Sequence, residues 1–155
     1  MSKVFMIGLL IVLLQSLAHS NEDENVLSDL QWQARVLLVF SPDRADPRSI
    51  AFADALSRNS CAVNERDIVS GYIVPGTTSR IADVSIGAEV ARDLGNRFGI
   101  GSSEFRILLI GKDGGVKARY AAVPSLDTIF AVIDGMPMRR REAMAQDSRC
   151  RSRTD

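Results

Sequence analysis

Residues 35–40 read RVLLVF, and this apolar run behind one arginine is typical of a β-strand covered on both faces. Residues 66–74 (RDIVSGYIV) and 105–110 (FRILLI) predict two more strands of this kind. Residues 116–120 (VKARY) alternate in polarity, which indicates a strand with one face in solvent. The Lys-Asp-Gly-Gly turn at 112–115 favours a tight hairpin between the last two strands. The sequence therefore predicts four strands.

Helical patterns separate these strands. Asp46 followed by Pro47 favours a helix start, and this helix is predicted to end near Ser60. A second helix is predicted over residues 85–98, and a third begins after the cap residue Ser125. The apolar side chains expected to face the core are Leu30 and Trp32 before the first strand, Ile50, Ala53 and Leu56 in the first helix, and Ile86, Val90, Leu94 and Phe98 in the second.

The order of elements is a βαβ half followed by a ββα half, which describes an α/β fold with a mixed four-stranded sheet and helices on both faces. This order resembles the thioredoxin fold. The resemblance is detailed over residues 94–134, which hold a Phe-Gly-Ile before an apolar strand, a Lys-Asp-Gly turn and a closing amphipathic helix. We therefore expect a thioredoxin-like domain.

The resemblance ends where thioredoxin carries its chemistry. With the strands in register, Ala45-Asp46-Pro47-Arg48 occupies the redox Cys-x-x-Cys stretch, so the proline is kept and both sulfurs are absent. Glu104-Phe105 occupies the position of the cis-proline of thioredoxins. Because dithiol exchange needs a thiolate at the helix start, we expect no thioredoxin-type oxidoreductase activity.

A more specific resemblance covers about residues 30–145. The strings GKDGGVK at 111–117 and IDGMPMRR at 133–140 are similar to those of the DUDES family, and Glu142 and Met144 fit the end of its pattern. These are thioredoxin-like domains of secreted bacterial proteins and of animal extracellular proteins with sushi repeats. The resemblance, to the bacterial secreted branch, implies export and a thioredoxin-like fold, but no established activity.

The N-terminus has the three-part layout of a secretory signal. Lys3 precedes an apolar run that is too short to cross a bilayer, and Ala18-His19-Ser20 offers a cleavage site. The alternative is an uncleaved anchor. We expect a signal peptide at 1–20, an acidic flexible lead-in at 21–29, the thioredoxin-like domain at 30–145 and an Arg-rich flexible tail at 146–155. This predicts a periplasmic or secreted protein without a transmembrane span after cleavage.

Composition excludes several classes of function. Nineteen basic residues balance nineteen acidic ones, so the chain has no global charge signature of nucleic-acid binding. The only histidine, His19, lies in the predicted signal. The mature chain therefore lacks His-based catalysis and His-ligated metals. Met136 and Met138 are expected to fill the core rather than to bind metal, and we predict no cofactor.

Two basic clusters are candidate sites for an anion or an acidic partner, such as an acidic envelope protein or an anionic surface. The first is Arg44 and Arg48 at the start of the first helix; alternatively, Asp46 caps that helix and both arginines are solvated. The second lies at the opposite edge and comprises Lys112, Lys117, Arg119, Arg139, Arg140 and Arg141. Its alternative is an internal salt-bridge clasp with Asp113, Asp134 and Glu142.

Two cysteines remain. Cys61 follows the first helix at the edge where the tail carrying Cys150 begins, so the fold permits a disulfide, which export would favour. Three outcomes are open: this bridge, a buried Cys61 with a free Cys150, and a dimer through Cys150. The leading hypothesis is an exported, non-catalytic binding module. Its rivals are a His-free envelope enzyme using carboxylates with Arg or Lys, and a redox or stress role through the two cysteines.

Overall fold

The computed structural model describes residues 26–145 and Cys150. The first half of the chain contributes two parallel strands, a short antiparallel hairpin and three helices. In chain order its elements are α1 (Val26–Leu30), β1 (Arg35–Phe40), α2 (Pro47–Arg58), α3 (Ser60–Glu65), β2 (Ile68–Ile73), β3 (Ser79–Ile81) and β4 (Val84–Ile86).

The second half contributes the remaining helices and strands. In chain order they are α4 (Ala88–Phe98), β5 (Arg106–Ile110), β6 (Val116–Tyr120), α5 (Leu126–Asp134) and α6 (Pro137–Ala145). The strands form one sheet in the order β4-β3-β2-β1-β5-β6, with β1 parallel to β2 and the other neighbours antiparallel. This is the mixed α/β arrangement predicted from the sequence.

All six residues of β1 are buried, because this strand lies inside the sheet between β2 and β5. Leu38 and Phe40 point to one layer, which α1 and α4 complete, whereas Leu37 and Val39 point to the other, which α2 and α5 complete. Alternate residues of a strand face opposite sides, so one apolar run supplies both cores. The domain therefore has a helix layer on each face of the sheet.

The sheet has six strands rather than the predicted four. The additional hairpin, β3 and β4, consists of two three-residue strands, which are too short to show a period in the sequence. Ile86 belongs to β4, so the second helix begins at Ala88 rather than near residue 85.

The helices differ from the prediction at three places. Val26–Leu30 is helical and Val26 is buried, so part of the expected flexible lead-in belongs to the domain; residues 21–25 lie outside the described part. The helix predicted to start after Asp46 is α2, which ends at Arg58, and the separate helix α3 follows it. The polar segment after Pro137 forms α6, which was not predicted because its composition gives no apolar stripe.

Two expected core residues are exposed. Trp32 has 62% of its surface exposed and Ile50 has 57%, and Phe52 takes the buried position expected of Ile50. Met136 packs against the core as expected, whereas Met138 is exposed.

Candidate functional site

Asp46 and Arg48, in the loop and helix start predicted to occupy the position of the thioredoxin redox motif, are bound to each other. Asp46 Oδ1 accepts a hydrogen bond from the Arg48 backbone N–H at 2.9 Å, and its Oδ2 lies 2.6 Å from Arg48 Nη2. The bond from Arg48 lowers the pKa of Asp46 from 3.8 to about 2, against the opposing effect of burial. The Arg48 guanidinium also lies 4.4 Å from the centre of the Phe105 ring. Arg48 is thus occupied by Asp46 rather than free for a ligand.

Arg44 lies in a cleft beside this helix start. Its guanidinium donates to the Thr78 carbonyl, which joins the loop after β1 to the β3–β4 hairpin. The cleft has a volume of about 350 Å³ and lies between that loop, the first turns of α2, the end of β2 and the hairpin. We call it the Arg44 cleft. Its lining residues are Ser41, Asp43, Arg44, Ser49, Ile50, Ala53, Tyr72, Ile73, Val74, Thr78, Ser79, Arg80 and Ser85.

An ionic cluster holds the opposite edge together, where β1 begins. Lys112 Nζ lies 2.7 Å from Asp67 Oδ2 and 2.9 Å from Glu142 Oε1, and Glu142 Oε2 lies 3.0 Å from Arg35 Nη2. Burial alone would lower the pKa of Lys112, but the hydrogen bonds to Asp67 and Glu142 outweigh it and raise that pKa. These four residues, which we call the clasp, tie α6 to the sheet. Arg35 and Asp67 were not foreseen as its members.

A second set of pairs flanks the clasp. Asp134 lies 2.7 Å from Arg66 Nη2 and 3.3 Å from Arg139 Nε. Burial alone would raise the pKa of Asp134, but the bonds from both arginines outweigh it and lower that pKa. Lys117 Nζ lies 2.5 Å from Asp113 Oδ2 within the hairpin. Much of the basic charge predicted here is therefore matched by acids of the same chain.

The other predicted bases differ in their surroundings. Arg119 donates to the Phe98 carbonyl at 2.9 Å. Arg140 is exposed beside Arg66 and Asp134. Arg141 is exposed and lines an open groove of about 820 Å³, and the described residues include no acid paired with it. Arg140 and Arg141 are thus the bases of this cluster that are most available to a partner, and Arg141 is the one that lines this groove.

Exposed apolar side chains line the same groove. Trp32, Val132 and Met138 are all exposed there, next to Lys117 and Arg141. Trp32 has a positive φ of 66°, and its backbone N–H donates to the Lys112 carbonyl at 2.6 Å. We call this surface the Trp32 groove. Its aromatic residue was expected in the core, because a tryptophan just before a buried strand gives no sequence sign of exposure.

A disulfide joins Cys61 in α3 to Cys150, with their Cα atoms 5.8 Å apart. The Cys150 backbone N–H donates to Glu65 Oε1 at 3.0 Å, and Cys61 is exposed. The tail thus reaches back to the edge that carries the clasp. The remaining tail residues, 146–149 and 151–155, lie outside the described part of the chain, as does the segment 1–20 for which a signal peptide was predicted.

The carboxyl groups with shifted pKa values at these sites are partners in salt bridges. Wherever a carboxyl pKa is shifted in the described residues it is lowered, at Asp46, Glu104, Asp113 and Asp134, and each has an Arg or Lys partner. A general acid would need a raised pKa. Across residues 26–145 and Cys150, no group of three or more His, Cys, Asp or Glu side chains is placed to hold a metal ion. The same residues contain no helix long and apolar enough to cross a membrane.

Solved structures that resemble the chain include peroxiredoxins. The reduced 2-Cys peroxiredoxin of Plasmodium vivax superposes with a TM-score of 0.57 and 17% identity, over 74% of this chain and 72% of that one. Thioredoxin peroxidase I of Plasmodium yoelii gives 0.53 and 19%, over 78% and 82%. At such low identity the likeness shows the fold alone, and that fold is thioredoxin-like.

Sequence comparison identifies the family. The chain is 28% identical to coiled-coil domain-containing protein 80 of Danio rerio over 81% of its own length, and it spans only 16% of that protein. Residues 26–142, from the start of α1 to the clasp residue Glu142, match the family described as Domain of unknown function (DUF4174). The chain is therefore a thioredoxin-like domain that belongs to the DUF4174 family.

Proposed function

We propose that this chain is an exported, non-catalytic thioredoxin-like module of the bacterial secreted DUDES branch that binds an acidic partner protein. The observation that carries the proposal is the Trp32 groove, which is lined by an exposed tryptophan and by an arginine with no acidic partner in the described residues. The redox position supports it, since Asp46 and Arg48 there bind each other and no sulfur is present.

Trp32 has the properties of an interface anchor. It is large and 62% exposed, and the hydrogen bond from its backbone to Lys112 fixes its place in the fold. Tryptophan and arginine are enriched among the residues that dominate binding energy at protein interfaces. Val132 and Met138 extend the apolar surface beside it. A partner that covers this groove would bury an aromatic ring at little cost in conformational entropy.

Charge indicates that the partner is acidic. In the clasp, Asp67 and Glu142 are already paired with Lys112 and Arg35. These two acids therefore do not neutralise the bases of the groove that lie outside the clasp. Lys117 is paired at the rim with Asp113, whereas Arg141 is exposed and has no such pair in the described residues. A carboxylate of a partner could therefore pair with Arg141 through two parallel N–H bonds.

Export is supported by the N-terminal sequence. Residues 1–20 have the layout of a cleaved signal, and an intramolecular disulfide is typical of an oxidising compartment. We accordingly propose a mature protein of residues 21–155, periplasmic or secreted, whose folded domain starts at about residue 26 and ends near 145, with an Arg-rich tail beyond it.

The test is an affinity capture in which the mature protein, with its disulfide formed, is immobilised on a support. Envelope extract is passed over the wild type, Trp32→Ala, Arg141→Glu and a matched control, Val84→Ala, which changes an exposed apolar residue on the edge strand β4. We expect one protein that the wild type and Val84→Ala retain, that both groove variants lose, and that salt releases. Equal capture by all four forms, or binding only to anionic lipid vesicles, would contradict the proposal.

A redox role is the second candidate, because the sulfur of the bridge lies at an exposed residue, Cys61. A dithiol donor would supply two electrons and two protons, leaving two thiols here and a disulfide in the donor. Equilibration with glutathione buffers measures the potential. A value above about −300 mV indicates a reducible bridge, whereas a lower value indicates a structural one.

A further inference from the structure

We propose that the Arg44 cleft binds a small amphipathic carboxylate, a ligand distinct from the protein partner of the Trp32 groove. The two sites lie at opposite ends of β1, since Ser41, just after the strand, lines the cleft, whereas Trp32 and Arg35, at the start of the strand, line the groove. They share no lining residue.

A buried hydroxyl in the cleft lacks a partner. Ser49, in the first turn of the 12-residue helix α2, is only 7% exposed, and its Oγ makes no hydrogen bond. It lines the cleft. Buried polar groups in folded proteins are nearly always hydrogen-bonded, because an unbonded one has lost water without compensation. Because this oxygen itself has almost no accessible surface, Ser49 would bond a ligand oxygen in the cleft after rotation about its Cα–Cβ bond.

The charge of the cleft favours an anion. Arg44 and Arg80 both line it, against one carboxylate, Asp43. Asp43 is engaged in the loop, where its Oδ1 accepts a hydrogen bond from the Ala45 N–H at 2.7 Å. Arg44 uses one guanidinium nitrogen on the Thr78 carbonyl, and the described residues include no acid paired with Arg80. Guanidinium groups match the planar geometry of a carboxylate.

The rest of the cleft favours an apolar tail. Ile50 is 57% exposed although it lies in the cleft wall, beside Ala53 and Val74. A ligand that covered Ile50 would remove this apolar surface from water. The volume of about 350 Å³ is within the range of small-molecule sites. The occupant is therefore a short aliphatic or aromatic acid.

Calorimetric titration of the mature, oxidised protein tests this inference with four probes: octanoate, acetate, octylammonium and inorganic phosphate. We expect measurable binding of octanoate, binding of acetate at least about ten-fold weaker because it lacks the tail, and none of octylammonium. Equal binding of octylammonium and octanoate would show that the charge plays no part. Phosphate binding as tightly as octanoate would show a simple anion site, and no octanoate binding would show an empty cleft; each overturns the proposal.

Two variants locate the bound probe. Arg80→Gln should weaken octanoate about ten-fold by removing a charge-assisted hydrogen bond, and because Arg80 is exposed the variant should fold normally. The control, Arg92→Gln, removes an exposed arginine from α4 outside the cleft. Equal loss in both would contradict the site. Trp32→Ala should bind octanoate like the wild type, so failure here is distinguishable from failure of the proposed partner binding.

Discussion

The guanidinium of Arg35, at the start of the central strand, lies 3.0 Å from the carboxylate of Glu142 in the last helix. Arg35 is only 1% exposed, so its charge depends on this partner and on the hydrogen bond that it donates to the Arg66 carbonyl at 2.8 Å. The pair is therefore a structural joint of the domain rather than a surface salt bridge.

Removing the acid of this pair should be costly. We expect Glu142→Ala to lower the free energy of unfolding by about 3 kcal/mol, because it leaves a buried charge unmatched. Urea denaturation of the mature protein measures it. Glu104→Ala, which removes the partly exposed pair with Arg106, should cost less than about 1 kcal/mol. The double variant Arg35→Met with Glu142→Leu should regain most of the stability that Glu142→Ala loses. Equal losses of unfolding free energy in Glu142→Ala and Glu104→Ala would contradict this account.

Acid should weaken helix α2 through its cap residue Asp46. Because its pKa is lowered in the folded state, from 3.8 to about 2, its contribution to stability is present above pH 3.8 and is lost as pH falls toward 2. Asp46→Asn keeps a cap but cannot titrate, so it should reduce the loss of stability between about pH 5 and about pH 2.5. Urea midpoints at both pH values measure it, with the exposed Asp83→Asn as control. An unchanged loss in Asp46→Asn would disprove the linkage.

The disulfide should contribute strongly to stability. It joins residues 89 positions apart, and the chain-entropy model gives about 4–5 kcal/mol for a loop of that length. We expect the double variant Cys61→Ser with Cys150→Ser to lose about 2–5 kcal/mol relative to the oxidised wild type. Thiol counting on denatured, unreduced protein should find no free thiol; two per chain would refute the bridge.

The domain should not reduce insulin disulfides by a thioredoxin route, because Ala45 and Arg48 stand where the two sulfurs would act. Turnover of insulin with a suitable reductant measures this. Activity that disappears in the double cysteine variant would favour the redox role of Cys61 and Cys150. Activity that survives in that variant would contradict the sulfur argument itself.

We also expect the exported protein to begin at Asn21. Intact-mass measurement of the protein from the envelope fraction tests cleavage after Ser20. A species that begins at Met1 and stays with the cytoplasmic fraction would rule out export and, with it, an envelope partner.

Elements with strong local signals were predicted to the residue. Strand β6 covers the predicted residues 116–120, and α5 begins after Ser125, whose Oγ accepts a hydrogen bond from the Thr128 N–H. The β3–β4 hairpin and α6 were missed, because neither has an apolar period long enough to register. Pro137 is the first residue of α6, a position that proline favours in a helix.

The sites were harder to predict than the fold. The predicted topology places Lys112 and Glu142 at one edge of the domain, which permits a clasp between them. The sequence does not show that Arg35 is the buried member of this clasp. Arg80 and Ser49 line the same cleft because a short hairpin, which the sequence did not predict, lies next to the start of α2. Residues that come together through tertiary contacts leave no local pattern to read.

The pairing of Arg35 with Glu142 also orders events in time. A ribosome delivers Arg35 early and Glu142 among the last residues of the described domain. Until that acid emerges, burying β1 would bury an unmatched charge, so the central strand has no stable place in a half-made chain. We therefore expect stable burial of the central strand only after synthesis has passed Glu142.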